Sequence, residues 1–107
     1  MATPFGGGVA RWGTICGALV GATMALGFRY GRTRPEEKDK REKTYLKVQE
    51  LLGAFEKEFG TTQCRELIGL NLRDAADRQK FQDQKGHDKC VKFLAGCIEN
   101  VRRILKE

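Results

Sequence analysis

The chain has 107 residues, 32% of them charged and 8% aromatic, with two prolines and no serine. That length supports one core and not two, and helix formers outnumber turn and strand formers, so the expectation is an all-α fold: a compact bundle of about four helices in a single domain over residues 1–107. The net charge is +6, but cations and acids interleave in "RPEEKDKREK" and "RDAADRQKFQDQKGHDK", which places the basicity on solvated helix faces and argues against a nucleic-acid partner.

Residues 1–12, with Pro4 and three consecutive glycines, read as a glycine-rich loop. Behind it, residues 13–28 form an uncharged stretch of sixteen that includes four glycines. A membrane span needs about 20 apolar residues, and a secretory signal begins with a cationic region that this chain lacks. The stretch is therefore expected to be a buried helix from about Ile15 to Tyr30, with membrane association through 13–28 as the alternative. Gly13, Gly17 and Gly21 recur every four residues and, with Ala18, make a small-residue face where a second helix can approach closely. Trp12 and Phe5 are expected to anchor the core or to cover the first cysteine.

Pro35 suits the first turn of a second helix, with Glu36 and Glu37 at the positive end of its dipole. Tyr45, Val48, Leu52, Phe55 and Phe59 repeat at helical spacing, Leu51 widens that face, and Gly60 ends it. A short helix in "TTQCRELIG" closes at Gly69. Residues 70–86 are a polar segment whose helix would be pinned by Leu72, Ala76 and Phe81. The last helix runs from His87 to the end and buries Cys90, Phe93, Leu94, Cys97, Val101, Ile104 and Leu105 on one face.

The four cysteines lie 48, 26 and 7 residues apart, a spacing that fits neither a disulfide-rich secreted scaffold nor a close-spaced zinc ribbon, so a cytoplasmic, thiol-bearing protein is expected. Thr14, Thr62 and Asp88 can each cap a helix, and Cys16, Cys64 and Cys90 each follow a cap by two residues. In a first turn the free N–H groups and the helix dipole favour the thiolate, which is both the nucleophile and the metal ligand. Cys16, Cys64 and Cys90 are therefore the candidate catalytic thiols. Cys97 reads first as a packing residue; a direct bridge to Cys90 would have to cross about 10 Å of helix rise. His87 has no nucleophile at a diagnostic spacing and reads as a solvated residue. "GGGVARWGT" lacks the lysine ending of a phosphate-binding loop.

The segment "PFGGGVARWGTICGALVGATMALGFRYGR", with "CGALVG" from Cys16 to Gly21, then "EKEFGTTQCRELIG" and "KCVKFLAGCIENV", resembles the family of small redox-active proteins named for the pattern C_GCAxxG_C_C. The resemblance spans residues 4 to 105. It implies an all-helical protein with redox-active cysteines at Cys16, Cys64 and Cys90, often encoded near transporter genes, with Cys97 as an addition. Relatives usually carry an N-terminal helix bearing a further cysteine. Here the chain starts at the glycine loop, as in a shortened version or a frame that begins upstream, which could open the glycine face to a second subunit.

The leading expectation is dithiol–disulfide exchange with a redox partner protein, or electron transfer through a metal held by Cys16, Cys64, Cys90 and Cys97. An iron–sulfur cluster or zinc is the candidate cofactor, and none is needed for the disulfide route. The alternative is a non-enzymatic helical interaction module with structural cysteines, associated with a membrane transporter or forming a homodimer through the glycine face.

Overall fold

A computed structural model describes residues 3–107. The chain forms a one-turn 3₁₀ helix, Thr3–Phe5, and then α1 (Gly17–Tyr30), α2 (Lys38–Phe59), α3 (Cys64–Ile68), α4 (Ala75–Asp83) and α5 (Gly86–Leu105). There is no β-strand among the described residues, and the all-α expectation holds, with four of the five α-helices nine residues or longer.

α1, α2 and α5 pack against one another, while α4 leans on α5. Tyr30, at the end of α1, reaches the Ile104 carbonyl near the end of α5, so these two helices run the same way. α2 runs against them. Leu19, Leu26, Leu51, Phe55 and Ile104 are wholly buried at the centre. Each contributes about 1.5–3 kcal/mol by leaving water. Phe55 meets Phe59 at 4.8 Å and Phe93 at 6.2 Å between ring centroids, which ties α2 to α5.

Gly60 and Gly69 end α2 and α3 in the left-handed conformation, φ +89° and +70°, as their positions predict. Asp74 caps α4, its Oδ1 accepting from the Ala76 N–H at 3.1 Å. Other boundaries differ from expectation. α1 begins at Gly17, two residues after Ile15, because Ile15 pairs with Gln63 in an antiparallel β-bridge. Pro35 lies in the turn before α2, and Glu37 is that helix's N-cap.

The apolar faces were also read too widely. Tyr45, Leu94 and Leu105 are exposed, as is Ala76, because they lie at the rims of stripes whose centres alone meet a neighbouring helix. Among the described residues no helix is long and apolar enough to cross a membrane.

Candidate functional site

The site begins in the glycine loop. From Gly7 to Arg11 every φ is positive, between +51° and +70°, so the chain makes a left-handed turn. Val9, Ala10 and Arg11 carry side chains in this conformation, at about 1–2 kcal/mol each. The turn is held by the Ala10 N–H on the Pro4 carbonyl (2.6 Å) and the Arg11 N–H on the Gly6 carbonyl (3.1 Å). Thr14 then ties off the loop, both its N–H (2.9 Å) and its hydroxyl (2.8 Å) donating to the Gly8 carbonyl.

Two glycines explain the fit of this loop over α3. A Cβ on Gly8, at φ +70°, would lie 2.6 Å from the Cβ of Cys64; one on Gly13, at φ +81°, would lie 2.9 Å from the Cβ of Arg65. Only bare backbone can pass so close. Backbone at Gly8 therefore lies against Cys64. Trp12 is 59% exposed, under the guanidinium of Arg73 at 4.3 Å, so it neither anchors the core nor covers Cys16.

Cys16 and Cys64 meet through the β-bridge. The Cys16 N–H donates to the Thr62 carbonyl (2.9 Å), and the Cys64 N–H donates to the Thr14 carbonyl. In this register Cys16 and Cys64 flank the Ile15–Gln63 pair on the same face. Diagonal positions of that kind lie roughly 7–8 Å apart, at the edge of the 4.4–6.8 Å Cα range of a disulfide. α5 brings the other two thiols to Cys16: Cys90 is half-buried and Cys97 is 1% exposed. Cys16 sits close enough to Cys64, Cys90 and Cys97 for its charge to act on each of them. All four thiols are free.

The caps that led to these residues are not the ones used. Cys16 is itself the N-cap of α1, and Thr14 spends its hydroxyl on Gly8. Gln63 is the N-cap of α3, and the carbonyl of Thr62 serves Cys16. α5 starts at Gly86 behind a left-handed Lys85, so Asp88 is inside the helix and Cys90 lies in its second turn. Only Cys64 occupies a first helical position, on a helix of five residues with little dipole to offer.

The electrostatics run opposite to the first-turn argument. Burial, and then repulsion from Cys16 and Cys90, push the Cys64 thiol up to about 11. Burial and then Cys16 raise Cys90, against a smaller opposing pull from Lys89. Cys97 is pushed up to about 12 by burial, then by Cys16 and Glu58. The Arg65 guanidinium donates to Gln63 at 3.2 Å, and Lys89 opposes the rise only at Cys90. Among the described residues no three His, Cys, Asp or Glu side chains are placed to hold a metal ion.

Cys97, read in the sequence first as a packing residue and otherwise as a fourth metal ligand, is buried in the same cluster as Cys16. The seven-residue step from Cys90 to Cys97 is two turns of one face, and the start of α1 lies alongside that face. His87 is exposed at the start of α5 and stacks edge-on against Phe81 at 4.9 Å. The glycine face is only partly covered: Gly13 lies in the loop, Gly17 borders the Phe5 carbonyl, and Gly21 is open.

A protein-family model described as "Putative redox-active protein (C_GCAxxG_C_C)" matches residues 1–104. No curated protein and no solved structure matches the chain.

Proposed function

The chain belongs to the C_GCAxxG_C_C family, and on that premise we propose that it is a small thiol redox protein that exchanges electrons through Cys16 and the cysteines around it. The reaction is dithiol–disulfide exchange with a partner protein. Two thiols of this chain become one S–S bond, and the partner's disulfide accepts the two electrons and two protons and becomes two thiols. Free thiols remain available for such exchange in the reducing cytoplasm.

One observation carries this reading: Cys16 packs in one cluster with Cys97 and Cys90, and the β-bridge sets Cys64 on the same face as Cys16. The pair we assign first is Cys16–Cys64, because the β-bridge already sets those two on one face. Closing the bond takes a backbone shift of an ångström or so, from roughly 7–8 Å into the disulfide range. The loop at Gly8 is the segment that must yield, since its backbone lies against Cys64. A bridge between Cys90 and Cys97 is disfavoured by about 10 Å of helix rise.

The test is intact mass after incubation with an oxidised dithiol partner, followed by denaturation and alkylation without reductant. The expected result is two blocked thiols on a monomer-mass chain, mapped to Cys16 and Cys64. Cys16→Ser should abolish the bridge and Cys97→Ser should leave it. Four alkylated thiols under every oxidising condition would return the cysteines to a packing role and favour the interaction module.

A further inference from the structure

Phe28 is 95% exposed in the last turn of α1, and Met24, one turn before it, is 47% exposed. Gly17, Gly21, Met24 and Phe28 are spaced four, three and four apart, so they form one stripe along α1. Beside this stripe α5 presents Val91, Leu94 and Ile98, each about half exposed or more, and a groove of about 340 Å³ lies between the two helices. Gly17, Ala18, Gly21 and Ala25 form one wall of the groove; Leu94 and Ile98 form the other.

We propose that this face is the two-fold interface of a homodimer in which α1 packs antiparallel against α1 of a second copy. A two-fold contact must be self-complementary: if residue i meets residue j, then j meets i. An axis passing between Ala22 and Thr23 satisfies that condition. It sets Phe28 of each copy over Gly17 of the other, and Met24 over Gly21. Two large side chains at one end of the stripe thus face two glycines at the other end; Gly21 is open, and at Gly17, which the Phe5 carbonyl borders, the ring lies toward the groove side.

Three further observations favour a second copy. A Cβ at Gly21 would meet nothing within 4 Å, so nothing in its own chain accounts for a mid-helix glycine, which costs about 1 kcal/mol relative to alanine. Close approach of another backbone does account for it. α1 carries no charge from Gly17 to Phe28 although the chain is +6 overall, as the core of an interface requires, and the antiparallel arrangement opposes the two helix dipoles favourably. Finally, Phe28 and Met24 on α1 and Val91, Leu94 and Ile98 on α5 are all left at least about half exposed, and a contiguous apolar patch of that kind marks an interaction surface.

The interface is independent of the thiol chemistry, although it would roof the groove in whose wall Cys97 lies. The test is sedimentation equilibrium of the full chain under reducing conditions across a dilution series, with circular dichroism as the folding control. Wild type should weigh twice 12.0 kDa. Phe28→Asp and Gly21→Leu should each weigh one chain with helicity unchanged, because both sites face open space in a single copy. A monomeric wild type overturns the proposal, as does a dimer that survives either substitution. A monomer that floats with phosphatidylglycerol vesicles overturns it as well, and would assign the face to lipid.

Discussion

The pH dependence of Cys64 alkylation separates burial from helix-start activation. The Cys64 thiol is pushed from 9.0 up to about 11, first by burial and then by Cys16 and Cys90. At pH 7 that leaves roughly one thiolate in ten thousand, against about one in a hundred for an unshifted thiol, a hundredfold deficit. A more basic thiolate is the better nucleophile, which returns roughly a factor of ten over two pH units, so the net slowing is about tenfold. The absolute rate is therefore less decisive than where it stops rising. The assay is a short pulse of iodoacetamide on reduced protein, followed by digestion and mass quantification of the Cys64 peptide, with denatured chain as reference at each pH. The rate should climb about tenfold per pH unit, with no plateau until near pH 11. Cys16→Ser should move the plateau down by less than the whole shift, because burial is the larger cause. A plateau at or below pH 9 would refute the reasoning and return the site to first-turn activation.

Two substitutions test the frame around the thiols. Phe55→Ala removes a wholly buried ring that touches Phe59 and Phe93 and should cost about 3–5 kcal/mol in urea unfolding; a cost under about 1 kcal/mol would mean that α2 and α5 do not meet there. Gly8→Ala places a Cβ 2.6 Å from that of Cys64 at φ +70°. It should cost about 1–3 kcal/mol in thermal unfolding and speed alkylation of Cys64 by displacing the loop. If both measures match wild type, the loop does not cover that thiol.

Much of the helical frame was legible because each signal is local. Gly60 and Gly69 stop helices by adopting φ values that side chains resist, and Asp74 caps α4 with its own carboxylate. The stripe of α2 located Leu51 and Phe55 in the core. The rims were not legible: Tyr45, Leu94 and Leu105 satisfy the same periodicity as their buried neighbours, and only the width of the facing helix decides which of them stays wet. The three caps next to the thiols failed for a related reason. Thr14 spends its hydroxyl on the Gly8 carbonyl, α3 takes Gln63, one residue after Thr62, as its cap, and α5 begins at Gly86, which puts Asp88 inside the helix.

By itself, then, the sequence determined that this chain is helical, where most helices stop, and which family pattern its cysteines follow, because propensity, periodicity and that pattern are written along the chain. The tertiary structure decided that Cys16 packs with Cys90 and Cys97 and shares a face with Cys64, and that burial pushes the thiols of Cys64, Cys90 and Cys97 up. A thiol's proton affinity depends on desolvation and on charges brought from other helices. Those distances exist only once α1, α3 and α5 are packed.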